Sequence, residues 1–146
     1  MKSLFVSFLV FALALPLMAK GVGDVPFQVV ARGQYGGESD QGIRVFRTER
    51  ALEEFSKDRS QDIPKRLLKE VDWDREQIVV VFGGQQPTGG FSIEVKRIQS
   101  TDIQRLTLEA VINKPTGPAT QAIATPYVVL KMARQVAAIK VKFLDQ

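Results

Sequence analysis

The sequence predicts an α+β domain built mainly on antiparallel β-sheet, arranged as a sandwich or a partly closed barrel, with one or two short helices in the first half. Helical spacing of apolar residues is confined to residues 49–71, whereas from residue 77 onward the apolar residues form continuous or alternating runs. Strands that follow segregated helices favour this class over alternating α/β units. Cysteine is absent from the 146 residues, so core packing without disulfides must hold the domain together.

Residues 1–19 have the pattern of a secretory signal peptide. One cation, Lys2, precedes a Leu/Phe/Val/Ala-rich stretch that ends near Pro16 and Ala19 and is followed by the polar residues 20–24. Small residues allow cleavage after Ala14 or after Ala19, and we expect the latter. The alternative is an uncleaved anchor, but the apolar stretch is shorter than the ~20 residues of a membrane span. We therefore expect a periplasmic or secreted protein, with a single domain over residues 20–146.

The first half of this domain predicts two strands followed by helices. Residues 27–32 and 43–46 have strand character and flank a glycine-containing turn region. Thr48 is placed to cap a helix over residues 49–58, and Pro64 favours the start of a second, shorter helix. Apolar residues at helical spacing would cover a sheet, namely Ala51, Leu52, Phe55, Leu67, Leu68 and Val71.

The second half predicts five strands. Residues 78–82 are continuously apolar, which indicates a central strand covered on both faces. The segments around residues 91–95, 106–112 and 139–143 alternate between apolar and polar residues, and Pro126 can start another strand over residues 127–132. If these five segments simply run up and down, the loops at residues 83–90 and 113–126 emerge at the same end of the sheet. Long loops on a rigid sheet are common binding sites.

The composition excludes several kinds of chemistry. Histidine is absent, which removes His-assisted nucleophiles, His-containing zinc sites and the commonest general base. Asp72 and Asp74 could act as a carboxylate pair in a hydrolase, although aspartates between a helix and a buried strand are typical of turns and caps. The net charge of +4 comes from cations scattered among acids, which argues against nucleic-acid binding. We expect no enzyme activity, no metal and no cofactor.

The two long loops share a Pro-Thr-Gly triplet and carry neutral polar residues. Residues 84–89 have Walker-type glycine spacing, but Gly90 and Phe91 replace the required lysine and hydroxyl residue, and a strand follows. Neutral donors and acceptors suit recognition of another protein surface, unless they only satisfy the backbone of their own loop. The candidate partner-binding residues are Gln85, Gln86, Pro87, Thr88, Gly89, Gly90, Thr116, Gly117, Thr120, Gln121 and Tyr127.

The segment from Val80 to Ile93, with Gly117-Pro118, Thr120-Gln121-Ala122 and Thr125-Pro126-Tyr127 after it, resembles the PrcB C-terminal domain family. In that family a Pro-Thr-Gly-Gly-aromatic loop and a later Thr-x-Pro-Tyr segment recur, and the likeness covers about residues 77–143. The resemblance implies an exported, non-enzymatic subunit that associates with a secreted protease and stabilises it. The founding member of the family is a lipoprotein, but this chain has no cysteine to lipidate, so membrane attachment is not expected.

A second, looser likeness concerns residues 86–91, which resemble the loop of chagasin-type cysteine-protease inhibitors. Gln86 and Gly89 depart from that pattern, and the Arg-Pro-Trp motif of those inhibitors is missing. This likeness implies protease inhibition as the alternative to protease stabilisation. In both cases the expected partner is a protein, with the free chain a monomer and no membrane span after cleavage.

Overall fold

The computed structural model describes residues 23–57 and 65–145, and these residues form seven strands and two helices. The expected signal peptide over residues 1–19 lies outside the described residues. Among those that are described, no helix is long and apolar enough to cross a membrane. The elements, in chain order, are β1 Phe27–Gly33, β2 Gln41–Phe46, α1 Glu49–Lys57, α2 Lys65–Glu70, β3 Glu76–Gly83, β4 Ser92–Asp102, β5 Arg105–Asn113, β6 Tyr127–Ala133 and β7 Ala138–Phe143.

The strands form two separate sheets, and the fold is a sandwich rather than a closed barrel. The first sheet has the order β1-β6-β3-β2 and is antiparallel throughout, while the second has the order β4-β5-β7. Strands β5 and β7 pair in parallel because the chain crosses to the first sheet to form β6 and then returns. The predicted α+β class and the number of strands are confirmed.

Strand β3 occupies an inner position of the first sheet, as its continuous apolar sequence predicts. Ile78, Val80 and Phe82 face the helices, whereas Val79 and Val81 face the second sheet. All five side chains are buried because each face of the strand is covered by another layer. The two faces therefore belong to two apolar cores, one on each side of the first sheet.

The helices cover the outer face of the first sheet. The Thr48 Oγ1 atom accepts a hydrogen bond from the backbone N–H of Ala51 at 3.3 Å, which confirms the predicted cap of α1. Leu52 is fully buried, and the Phe55 ring packs against Phe46 and Phe82 with centroid distances of 5.0 and 6.0 Å. Helix α2 begins at Lys65 in the described part of the chain, and Pro64, its predicted first residue, lies outside that part.

Strand β4 contains a β-bulge that changes which side chains face the core. The register shifts between Val95 and Arg97, so that Lys96 is the extra residue. Ile98 is consequently buried, whereas uninterrupted alternation from Ile93 would have turned Arg97 inward. Arg97 instead lies on the outer face, where it pairs with Glu109 of β5 at 2.7 Å.

A candidate protein-binding rim

Three loops meet at one end of the sandwich, and we call this surface the rim. It consists of the tyrosine loop (residues 34–40), the glycine loop (residues 84–91) and the long loop (residues 114–126). Phe82 near the end of β3 pairs with Tyr127 at the start of β6, and Gly33 at the end of β1 also pairs with Tyr127. The ends of three loops are therefore brought together by strand pairing in the first sheet.

The glycine loop and the long loop are joined by backbone hydrogen bonds. Gln86 and Ala124 form an isolated antiparallel bridge in which each N–H donates to the other's carbonyl, at 2.7 and 3.0 Å. The Gly89 N–H donates to the Thr120 carbonyl at 3.0 Å. The predicted position of these two loops at one end, in contact with each other, is confirmed. From β3 to β7 each strand runs opposite to the one before it, even where the chain moves from one sheet to the other.

The tyrosine loop is fastened to the other side of the long loop. The Thr125 N–H donates to the Gln34 carbonyl, and the Gly37 N–H donates to the Thr125 carbonyl, both at 3.0 Å. The Gly36 N–H donates to Thr125 Oγ1 at 2.9 Å. Ala124 and Thr125 therefore lie between the other two loops, with Ala124 hydrogen-bonded to the glycine loop and Thr125 to the tyrosine loop. The rim is one connected structure rather than three independent loops.

Two side chains at the end of β1 join this part of the rim to the start of β4 by hydrogen bonds. The Gln34 side chain donates from Nε2 to the Phe91 carbonyl at 2.7 Å and accepts from the Gly90 N–H at 3.1 Å. Arg32 donates to the Ile93 carbonyl two residues further along the same strand edge. A cavity of 130 Å³ lies between these side chains and the Tyr127 ring. The side chains of Arg32 and Gln34 thus provide hydrogen-bond donors for backbone carbonyls on the free edge of the second sheet, where β4 and the residue before it have no neighbouring strand.

Glycines shape the rim for two different reasons. Gly84 and Gly90 have φ of +73° and +83°, which non-glycine residues rarely adopt. At Gly89, by contrast, φ is not positive, and the requirement is space, because a Cβ there would lie 2.1 Å from Thr120 Oγ1. Gly89 is the point at which the glycine loop lies directly on the long loop.

The structure places the predicted site residues at three depths. Gln85, Pro87, Gly90, Thr116, Gly117, Thr120 and Gln121 are exposed on the rim. The half-buried Gln86 and Thr88 side chains bond within the glycine loop, to the carbonyls of Gly83 and Gly89 at 2.9 and 3.2 Å. Gly89 is buried under Thr120, and Tyr127 is only 4% exposed and belongs to the core under the rim. Tyr127 can therefore act only by supporting the rim from below.

Sequence reasoning did not include two apolar side chains that the rim exposes. Tyr35 of the tyrosine loop is 51% exposed, and Ile123 of the long loop is 60% exposed. The tyrosine loop was identified only as a turn region, because its place beside the long loop depends on the pairing of β1 with β6. The Tyr35-Gly36-Gly37 sequence could have indicated this, since tyrosine and glycine are enriched in loops that bind other proteins.

The rim is nearly free of charge. Its charged side chains are Glu38, Asp40 and Lys114, and Glu38 pairs with Arg44 at 2.9 Å. The described groups with a shifted pKa lie on the outer face of the second sheet. Hydrogen bonds donated by Lys96 and Arg97 lower the pKa values of Glu94 and Glu109, respectively, and the bond to Glu109 raises the pKa of Arg97. This distribution suits recognition of a neutral surface more than acid–base chemistry.

The aspartate pair has a structural arrangement in the turn that leads to β3. Asp72 Oδ1 accepts from the Asp74 N–H at 3.2 Å, and the Asp72 carbonyl accepts from the N–H groups of Arg75 and Glu76. Trp73 between them is partly buried and donates from Nε1 to the Leu68 carbonyl at 3.1 Å. These contacts fit the turn and capping role expected of aspartates at this position. Within the described residues, no cluster of three or more Asp and Glu side chains is arranged to hold a metal ion.

Comparison with known proteins finds a family similar to the segment that forms most of the rim. Residues 77–133 match the family described as PrcB C-terminal. The matched segment runs from β3 to the end of β6, so it includes the glycine and long loops but not the tyrosine loop. The resemblance to the PrcB C-terminal family that was noted from the sequence is thereby confirmed for this part of the chain. No curated protein and no solved structure gave a significant match.

Proposed function

We propose that this protein is an exported, non-enzymatic binding module that associates with a protease through the rim and stabilises it. The observation that carries the proposal is that both Pro-Thr-Gly loops are hydrogen-bonded together at one exposed end of the sandwich. Loops that are already ordered lose little conformational entropy when they bind. The PrcB C-terminal match supports a protein partner associated with proteolysis.

Export through residues 1–19 is part of this proposal. A protease that works outside the cytoplasm can meet this chain only if both are exported. Intact mass of the protein recovered from the source cells tests this step, and a chain that retains residues 1–19 would contradict it.

Gln121→Arg tests whether the rim is the binding surface. Gln121 is exposed on the long loop, and an arginine there would bring an unpaired charge into a neutral interface. We expect affinity for the partner protease to fall at least about tenfold, as for the loss of a central contact. Binding is measured by surface plasmon resonance, with each exported protease of the source organism purified and passed over the immobilised chain.

Gln104→Arg is the matched control, because Gln104 is an exposed glutamine in the β4–β5 turn at the opposite end of the sandwich. It should leave affinity unchanged. Equal affinity of both variants for a protease would contradict binding through the rim, and failure of every protease to bind would contradict the function itself. The activity and lifetime of the bound protease separate stabilisation from chagasin-like inhibition.

A further inference from the structure

We infer that Tyr35 and Ile123 are two apolar anchors that enter uncharged, apolar recesses on the surface of a protein partner. The inference rests on the proposed binding function and adds two things to it: the tyrosine loop as a third part of the interface, and the chemistry of the surface that the rim fits. Both residues are large and apolar, and both are more than half exposed.

Tyr35 is held in place although its ring is exposed. Its hydroxyl lies 3.3 Å from Thr120 Oγ1, so the ring is tied to the long loop. The residues on either side of it are fixed as well, since the Gln34 carbonyl and the Gly36 N–H both bond to Thr125. A tyrosine that is ordered before binding presents a large contact area at little entropic cost.

Ile123 projects from the part of the rim that is bonded on both sides. The next residue, Ala124, is fully buried and bridges to Gln86, and the following residue, Thr125, bonds to the tyrosine loop. The backbone directly after Ile123 is therefore bonded to the glycine loop and to the tyrosine loop, while the Ile123 side chain is exposed. Aromatic and apolar anchors of this kind dominate binding when they fill pockets on the partner.

Charge complementarity defines the partner surface. The glycine loop has no charged residue, and the long loop has only Lys114, at its start. Of the two acids in the tyrosine loop, Glu38 is paired with Arg44, and Asp40 lies at the far end of the loop from Tyr35, next to β2. A charged recess on the partner would lose its hydration without gaining an opposite charge. The matching surface is thus neutral and apolar where Tyr35 and Ile123 enter, with backbone groups available for Gln85 and Gln121.

Photo-cross-linking in the source organism tests the position of the interface. A benzophenone analogue of phenylalanine is placed at position 35 or 123 of the full-length chain, or at position 103, where Ile103 is 81% exposed at the opposite end. We expect adducts with one exported protease from positions 35 and 123, and none from position 103. The cross-linked protein, identified by mass spectrometry and purified, is then the binding probe.

Affinity for that probe tests the anchor role. Tyr35→Ala and Ile123→Ser should each weaken binding at least about tenfold, while Tyr35→Phe, which keeps the ring, should stay within about threefold of the unsubstituted chain. Ile103→Ser is the matched control for Ile123→Ser and should bind normally. Thermal unfolding of each variant shows whether the domain remains folded.

The outcomes separate this inference from the proposed function. If a protease binds but Tyr35→Ala and Ile123→Ser retain full affinity, the anchor inference is overturned and protease association stands. If the adduct at positions 35 and 123 is a protein other than a protease and both variants lose affinity, the anchors stand and protease association is contradicted. Adducts only between two copies of this chain, or only from position 103, would overturn the anchor inference.

Discussion

At the scale of one residue, Gly89 shows how the three loops of the rim fit together. A side chain at this position would meet Thr120 Oγ1, and the same Thr120 oxygen contacts the Tyr35 hydroxyl. One glycine therefore allows the glycine loop, the long loop and the tyrosine loop to meet. Gly84 and Gly90 are needed instead for their positive φ, so the glycines of this loop meet two different requirements.

Phe91 and Thr88 should differ in their effect on stability. Phe91 is 9% exposed, so Phe91→Ala leaves a cavity and should lower the free energy of unfolding by about 3 to 5 kcal/mol. Thr88 is half buried and loses one loop hydrogen bond on truncation, so Thr88→Ala should cost no more than about 1 kcal/mol. Urea unfolding of both variants measures the difference. Equal losses would show that Phe91 is not a core residue.

Individual site residues were predictable from the sequence only where local pattern decides their place. Phe91 is the last residue of the glycine loop and begins the alternating apolar run that continues into β4, and its burial follows from that alternation. Tyr127 was grouped with the neutral polar residues of the two loops, but it is also the first residue of an inner strand, and its ring lies against Gly33. Its burial depends on pairing with β1 and β3, which are distant in the sequence.

At the scale of secondary-structure elements, the sequence predicts where each strand lies along the chain but not which strands pair with each other. All seven strands were located because alternation and apolar runs are local signals. The parallel pairing of β5 with β7 and the bulge at Lys96 follow instead from how two sheets pack. Sequence periodicity alone carries no information on which strand lies beside which.

The ion pair between β4 and β5 should make part of the stability depend on pH. The hydrogen bond from Arg97 lowers the pKa of Glu109, so its contribution is fully present above the pKa of the unfolded chain and is lost as pH falls through the folded pKa. Glu109→Gln should therefore be less stable than the unsubstituted chain at about pH 7, and this difference should shrink towards about pH 3. Urea unfolding at both pH values measures it. A difference that stays constant with pH would contradict the assigned pair.

At the scale of the whole molecule, the two ends of the sandwich differ in construction. The rim end has three loops joined by backbone hydrogen bonds, whereas the opposite end has the β4–β5 turn and residues 134–137, where Ile103 and Val136 are exposed. The shared end of the two Pro-Thr-Gly loops was predictable because successive strands reverse direction. The third loop was not, because it depends on β1 pairing with β6 across the whole chain.

Hydroxyl-radical footprinting of the chain with and without its bound protease tests the central claim most directly, because it reports the solvent access of individual side chains. The account predicts that Tyr35, Pro87 and Ile123 become protected in the complex, while Ile103 and Val136 at the opposite end react as in the free chain. Protection of Ile103 and Val136, with Tyr35 and Ile123 unchanged, would contradict binding through the rim.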